Sequence, residues 1–335
     1  MRKGIKTVLI LSAVFLLLGI ALCIISFSMG ADPVKLLTDG TYTISINKPI
    51  GHLFDPDTYD DDRDGSFGQR PGSFGEAVEE GENTYSVSGD IKNLEIEWVS
   101  GNVKIIRGEG KNITFSESDP DGIDTDDRLY YTIDGNTLKI ECCDSGKIQI
   151  GININGGCGN KELVLMIPQD MLLMDINVDT TSADVEMAGI VAERDIIVCT
   201  TSGDLNISET GCEAAFLDST SGKLDFSGAS REVHANTISG KIAFSGDCNE
   251  FEADSTSGKV EAAFSHMPDE LDIETVSGAV RLDLPGDAAF KLEYDTVSGS
   301  MDCEFPVIMY DGAYFVNDGG TEIDVDTTSG NLKIY

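Results

Sequence analysis

Apolar and polar residues alternate with a period of two on both sides of a recurring glycine. This glycine follows a serine at positions 203, 222, 240, 258, 278, 299 and 330, and Ser182-Ala183 is a variant copy. In every copy, the positions seven and five before the glycine and two and four after it carry apolar side chains. Because such alternation is typical of strands with one face inside, each copy predicts two short strands joined by a turn.

The copies recur at a nearly constant interval, which predicts the fold class. The intervals are about 18–21 residues, except for a last one of 31, and the pairs Ser88-Gly89 and Ser100-Gly101 extend the series to about nine units. A unit of this length has no room for a crossover helix and cannot bury a core alone. The sequence therefore predicts an all-β protein, with a parallel β-solenoid of stacked coils over residues 83–335.

The turn itself carries hydroxyl side chains at two fixed places. Thr or Ser stands three positions before the glycine, and Ser stands directly before it, in eight copies. Both places share the inward parity, so we expect the hydroxyls inside, bonded to one another or to the turn backbone. The glycine is predicted to supply a left-handed or otherwise open backbone conformation. Eight equivalent serines argue against a catalytic nucleophile, which needs one activated serine beside a base.

The N-terminal part carries a targeting signal. Residues 7–29 form an almost unbroken apolar stretch without a charge, and three basic residues precede it. About 20 apolar residues suffice to cross a membrane, and the preceding basic residues favour the cytoplasm for that side. We expect a cytoplasmic tail at 1–6, a transmembrane anchor at 7–29 and an extracytoplasmic remainder in the cell envelope. A cleaved signal peptide is one alternative; a lipoprotein at Cys23 is another, disfavoured by Leu22 before it.

Residues 30–82 differ in composition from the repeats. They are rich in Asp, Gly and Ser and are predicted to form an acidic juxtamembrane linker. Asp60, Asp62 and Asp64 match the first half of a calcium-binding loop, but its twelfth position, a Glu in the template, is Pro71. Weak binding of a divalent cation is one interpretation of these aspartates, and a solvated linker is the other. No further cofactor is expected.

The charge of the chain restricts its partners. It carries 59 acidic and 23 basic residues, for a net charge of −36, which excludes nucleic acid and favours cations or cationic partners. The outward positions four and six before the glycine place two columns of carboxylates on the last four copies. This predicted acidic face comprises Glu252, Asp254, Asp272, Glu274, Glu293, Asp295, Asp324 and Asp326. It predicts weak cation binding or a cationic partner, with a solvated, solubilising face as the alternative.

The long last interval holds a cluster of aromatic residues. Its insertion includes Phe305, Tyr310, Tyr314 and Phe315. An open solenoid end exposes strand edges and core, so we interpret the insertion first as a cap or side cover and second as a partner-binding loop. The sequence ends on a predicted strand at 331–335, and self-association through that strand is a further interpretation.

Specific runs in the chain resemble a known family. The segments Leu163–Pro168 and Leu172–Val178, followed by repeated Thr-Thr-Ser-Gly-Asp-Leu, resemble the bacterial "putative adhesin" family of β-strand-repeat proteins, over roughly residues 84–335. The resemblance implies a single-pass envelope protein with a β-helical ectodomain, associated in some relatives with cell-envelope stress operons. It supplies no catalytic or ligand residues, and the name adhesin rests on fold analogy.

Two function classes follow from these observations. The first is a non-catalytic cell-envelope ectodomain, an adhesin-like, structural or sensory module with an unknown envelope or surface partner. The second is a polysaccharide-active enzyme on a β-helical scaffold. Such enzymes gather acidic and basic residues in one cleft, whereas no copy here brings His, Arg and Asp together. The sequence therefore favours the non-catalytic module.

Overall fold

The chain is a stack of short strands. The computed structural model describes residues 77–81, 83–123, 128–142 and 160–335, and all of them belong to one compact unit. In these residues the protein is all β. The strands are β1 (Ala77–Gly81), β2 (Thr84–Val87), β3 (Asn93–Trp98), β4 (Asn102–Gly108), β5 (Ile113–Ser118), β6 (Tyr130–Asp134), β7 (Thr137–Glu141), β8 (Glu162–Pro168), β9 (Asp175–Thr180), β10 (Asp184–Ala188), β11 (Asp195–Thr200), β12 (Leu205–Ser219), β13 (Leu224–Thr237), β14 (Ile242–Asp247), β15 (Glu250–Ser255), β16 (Val260–Phe264), β17 (Glu270–Thr275), β18 (Val280–Asp283), β19 (Phe290–Thr296), β20 (Met301–Cys303), β21 (Ile308–Tyr310), β22 (Ala313–Val316), β23 (Thr321–Thr327) and β24 (Leu332–Ile334).

Each repeat places one strand on either side of its turn, and equivalent strands of successive coils pair in parallel. The first sheet has the order β6-β7-β3-β9-β11-β12-β13-β15-β17-β23-β19-β22-β21. The second has the order β1-β2-β5-β8-β4-β10-β12-β13-β14-β16-β18-β24-β20, with β12 and β13 running through both. The predicted parallel stacking is confirmed for the inner coils, whereas β2, β5, β6, β21 and β22, which also lie within residues 83–335, pair antiparallel with their neighbours.

The stacking order departs from the chain order at both ends. Near the C-terminal end, β23 and β24 insert between the coil of β17 and β18 and the coil of β19 and β20. Near the other end, β3 and β4 lie between β7 and β8 on one side and β9 and β10 on the other. The last strand, β24, is thus paired on both edges, which removes the edge that self-association through residues 331–335 would need.

The inward positions form one continuous core. The residues seven and five before the turn glycine are buried in the inner coils, and so are those two and four after it. In the terminal coil, Tyr294, Met301 and Cys303 are only partly buried. Among the described strands, β20 of that coil pairs with another strand on one side only. The periodicity therefore predicted the core correctly, apart from its last layer.

The turn glycines allow a close approach between coils. The motif glycines from position 203 to 330 have no positive φ, so the left-handed alternative of the prediction is wrong for them, whereas Gly101 has a φ of 94°. A Cβ on Gly240 would instead overlap the carbonyl oxygen of Gly222. The distance between the two atoms would be far below 3.0 Å, a separation that real Cβ contacts essentially never go below. Gly258 meets Gly240 in the same way. A column of glycines thus forms because each turn packs directly on the backbone of the turn below it.

The two hydroxyl positions of the turn have different roles. The Thr or Ser three positions before the glycine is buried in the inner coils and accepts a hydrogen bond from the glycine N–H, as Thr200 does from Gly203 at 3.0 Å. The serine directly before the glycine is exposed rather than inward, because the turn ends the strand alternation. Its hydroxyl donates to a backbone carbonyl of an adjacent coil, as Ser257 does to Ile238 of the preceding coil at 3.3 Å. The hydroxyls therefore serve the turn backbone and do not form ladders among themselves.

A buried ion pair between Lys161 and Glu117 lies near the turn before β4. Lys161 takes the place of the turn glycine in its coil, since a Cβ on Gly101 would touch its carbonyl oxygen. Its Nζ lies 2.9 Å from Glu117 Oε2, and both side chains are almost fully buried. Glu117 also accepts hydrogen bonds from Leu129 N–H, and Trp98 Nε1 donates to the Lys161 carbonyl. The network pins β5, β8 and the segment before β6 to one another.

Several predictions concern the N-terminal part of the chain. The membrane anchor at 7–29 and Asp60, Asp62 and Asp64 lie outside the described residues. Among the residues that are described, none forms a helix with the length and apolar character that a membrane crossing requires. β1 falls inside the segment predicted as linker, and Ser88-Gly89 follows the antiparallel strand β2 and does not form a turn of the stack.

Candidate functional site: the acidic face and the cap hairpin

The parallel register brings the predicted carboxylates together on the outer side of the first sheet. Glu252 pairs with Asp272, and Asp272 pairs with Asp324. Asp324 in turn pairs with Glu293 of the terminal coil. The second column runs in the order Asp254, Glu274, Asp326, Asp295. Both predicted columns exist, but the insertion of β23 puts the coils in an order that the sequence does not show.

A third column of carboxylates lies beside these two and was missed by the sequence analysis. Glu232, Glu250, Glu270 and Glu322 are register partners on successive strands. They stand eight positions before the turn glycine, so the same comparison of the copies, aligned on that glycine, also predicts this column. We call the three columns together the acidic face. Like charges about 4.8 Å apart repel by roughly 1 kcal/mol per pair even in water.

Burial in the first place, and repulsion between neighbouring carboxylates in the second, raise the proton affinity of the acidic face. Burial, together with the charges of Glu274, Glu252, Asp272 and Asp218, raises the pKa of Asp254 to about 7. Burial and the neighbouring carboxylates, Asp324 first among them, raise the pKa of Asp272 to about 6. The pKa of Glu274 is also raised, mainly by burial. The carboxyls at the centre of the acidic face therefore hold their protons more tightly than free carboxyls do.

Basic side chains contact the carboxylates of the acidic face, and Arg231 lies 2.6 Å from Glu232. His234 Nδ1 lies 2.8 Å from Glu252 Oε2, and the His234 ring stacks on Phe216 with centroids 4.8 Å apart. The hydrogen bond raises the pKa of His234 and lowers that of Glu252. In the terminal coil, Lys291 lies 3.0 Å from Glu293 and 2.8 Å from Glu322.

Three lysines that directly follow turn glycines, Lys223, Lys241 and Lys259, pair with carboxylates outside the acidic face. Lys223, which follows a turn glycine, forms an ion pair with Asp225 of β13. Lys241 and Lys259 both form ion pairs with Glu261 of β16. These carboxylates belong to the second sheet, so the three lysines do not offset the charge of the first. Within the described part of the chain, no group of three or more His, Cys, Asp or Glu side chains is arranged to hold a metal ion.

The raised pKa values predict that acidification stabilises the fold. A carboxyl with a raised pKa binds its proton more tightly when folded, so its stabilising contribution is lost as the pH rises through the folded pKa. For Asp254 and Asp272 this window extends from 3.8 to about 7 and about 6. His234, with its raised pKa, shifts stability in the same direction above pH 6.5. We therefore expect a higher melting temperature at pH 5 than at pH 8.

A matched pair of variants separates this effect from net charge. The change Asp254→Asn with Asp272→Asn removes two carboxyls of the acidic face and should reduce the difference in melting temperature between pH 5 and pH 8. Asp287→Asn with Asp318→Asn removes the same charge at two exposed positions elsewhere and should preserve that difference. Equal pH dependence in both variants would contradict the assignment.

The first sheet ends in an antiparallel hairpin that covers the terminal coil. We call Ile308–Val316, with β21, β22 and their turn, the cap hairpin. β22 pairs antiparallel with β19, and Phe305 packs edge-on against Phe290 with centroids 5.8 Å apart. Phe305 and Tyr314 are partly buried against the core, whereas Tyr310 is 72% exposed. The predicted cover is confirmed, and only part of the aromatic cluster remains at the surface.

Comparisons with known proteins place the chain in a family. A solved structure of a "putative adhesin" from Bacteroides fragilis is 12% identical, with a TM-score of 0.42 over 76% of this chain and 98% of that one. A solved "putative cell adhesion protein" from Clostridium sporogenes is 13% identical, with a TM-score of 0.18 over 73% of this chain and 92% of that one. A search of curated proteins gives no match. The model of the Toastrack family, DUF4097, matches residues 91–335, and the chain therefore belongs to that family.

Proposed function

We propose that the protein is a non-catalytic, adhesin-like module of the cell envelope whose acidic face binds a cationic partner. The observation that carries the proposal is the parallel register, which stacks carboxylates in three adjacent columns on the outer side of the first sheet, for example Glu252 beside Asp272 and Asp272 beside Asp324. A cationic partner would lower their mutual repulsion, and long-range attraction would speed its association. The predicted anchor at 7–29 would hold this surface outside the membrane.

The repeated serines support the non-catalytic proposal. A nucleophile needs a base within hydrogen-bond reach. Each repeat serine instead donates to a backbone carbonyl of the neighbouring coil, for example Ser239 to Thr220 at 3.4 Å and Ser277 to Thr256 at 3.4 Å. Their role is to join coils, and the same contact recurs along the stack.

Binding of a flexible cationic peptide tests the acidic face. The probe is a fluorescent peptide of alternating Lys and Gly, titrated with the full chain in detergent micelles at low salt. The variant with Asp254→Asn, Asp272→Asn, Glu274→Gln and Asp324→Asn should weaken binding about tenfold, since each exposed pair contributes up to about 1 kcal/mol. The loss should shrink as salt is added.

A control with the same charge change lies on the second sheet. The variant with Asp184→Asn, Glu186→Gln, Asp204→Asn and Asp225→Asn also removes four carboxylates, but from the other side of the stack. It should weaken binding much less than the variant of the acidic face. If the two variants weaken binding equally, the probe senses only net charge, and the proposed site is wrong.

A further inference from the structure

The outer edge of the cap hairpin is unusually apolar and exposed. Ile308, Met309 and Tyr310 are 68%, 66% and 72% exposed. With Val307, they make up four of the nine large hydrophobic side chains that are exposed in the described part of the chain. Scattered surface hydrophobics are common, but a run of consecutive ones marks an interaction surface. The three residues form β21, the last strand of the first sheet.

One side of β21 is open for pairing. It pairs with β22, and among the described strands no other one pairs with it. The connecting turn, Asp311-Gly312, has positive φ at both residues, 50° and 85°. In a two-residue hairpin of this type the flanking pair, Tyr310 and Ala313, is hydrogen-bonded. Because hydrogen-bonded pairs alternate, the N–H and C=O of Met309 then point to the open edge.

β21 is short and lies between Pro306 and Asp311, but its own residues carry no protection against pairing. Charged side chains and proline commonly prevent pairing at such edges, and residues 307–310 contain neither. The strand at the opposite end of the same sheet, β6, is half-buried over most of its length. The two ends of the sheet therefore differ, and β21 is the one that offers backbone groups beside exposed apolar side chains.

The charge around the hairpin selects the occupant. Exposed carboxylates border β21 along the chain, namely Glu304 before it and Asp311 directly after it. A second copy of the chain would bring the same carboxylates into contact with one another. A cationic segment would instead be attracted to them and to the acidic face on the same sheet.

We infer that β21 is a docking edge to which an extended, cationic and apolar segment of another protein adds as a further strand. Main-chain hydrogen bonds to Met309 would supply register, Ile308 and Tyr310 would supply apolar contact, and the flanking carboxylates would select Lys or Arg. The inference deepens the proposed function, because it rests on a cationic partner, and adds the place and the conformation in which that partner binds.

A peptide of alternating Lys and Val, titrated with the full chain in detergent micelles, tests the inference. Met309→Pro removes the outward N–H and should weaken binding about tenfold or more, because an added strand loses main-chain hydrogen bonds. A second variant, Ile308→Lys with Tyr310→Lys, changes exposed side chains only and should also weaken binding at least about tenfold, through repulsion of the cationic peptide. Val191→Lys with Ile238→Lys, at exposed hydrophobic positions elsewhere, should have much less effect.

Two further measurements decide between the outcomes. A peptide of alternating Lys and Pro has the same charge but cannot add as a strand, and it should bind no better to the wild-type chain than to Met309→Pro. If the Lys-Val peptide binds both edge variants as well as it binds the wild-type chain, the inference is overturned. It is also overturned if the wild-type chain forms a dimer that dissociates in the Met309→Pro variant, because β21 would then pair with a second copy of the chain. Unchanged binding in the edge variants together with loss in the acidic-face variant would leave the proposed function standing.

Discussion

Replacement of Gly240 by alanine is expected to destabilise the stack by at least about 3 kcal/mol, the upper part of the range for overpacking. The added Cβ would overlap the carbonyl oxygen of Gly222 in the turn below. A backbone carbonyl in the middle of a parallel stack cannot rotate away, so the two coils must separate and lose their paired strands. Chemical denaturation followed by circular dichroism measures the loss in the free energy of unfolding.

The matched control for this substitution is Gly286→Ala. Gly286 has no heavy atom within 4 Å of a built Cβ, and it is not among the glycines with positive φ. The free energy of unfolding should therefore change by no more than about 0.5 kcal/mol, as for surface substitutions in general. If Gly240→Ala and Gly286→Ala had the same effect, close packing between turns would not be the reason for the glycine column.

Glu117→Gln is expected to cost about 3–5 kcal/mol, as breaking one half of a buried ion pair usually does. The substitution preserves the shape of the side chain but takes the negative charge from beside the Lys161 ammonium, which is 2.9 Å away and almost fully buried. The nearby carbonyl of Cys142 and the ring of Trp98 stay in place, but neither carries a full charge. Thermal unfolding of the full chain would show the loss.

An exposed pair and a double variant make this prediction specific. Glu186→Gln removes the partner of Lys104, at 3.0 Å in an exposed pair, and should cost less than about 1 kcal/mol. The double variant Glu117→Gln with Lys161→Met removes both buried charges, keeps a side-chain oxygen that can accept from the Leu129 N–H, and should recover most of the stability that Glu117→Gln alone loses. A double variant as unstable as the single one would show that packing, rather than charge, accounts for the loss.

The sequence predicted the inner coils well because their burial depends on local alternation. Ile196, Leu217, Val260 and Leu282 are all buried as predicted. The prediction failed where the alternation stops, at the turn. Ser257 shares the parity of the core positions but is exposed, because the chain has already left the strand at that point. The motif thus predicted which residues form the turn, but not which of them are buried and which are exposed.

The candidate site was predicted in composition but not in arrangement. The outward carboxylates follow from parity, whereas the contact of Asp272 with Asp324 depends on the insertion of β23 beside β17. The aromatic residues of the insertion after β20 predicted a cap or a partner-binding loop there. The most exposed run there is Ile308–Tyr310, because Phe305 and Tyr314 pack against the core. The exposure of an apolar residue depends on its spatial neighbours, and one sequence does not contain them.

The sequence by itself determined the all-β class, the length of a coil, the inward residues of the inner coils and the negative charge of one outer face. These properties follow from side-chain alternation and composition, which act over a few residues. Only the tertiary structure decided which coils touch at the two ends, why the turn residue is glycine, and that Lys161 is buried against Glu117. Those properties depend on contacts between residues tens of positions apart, such as Gly278 and Gly330. The local periodicity of a sequence does not show which distant residues make such contacts.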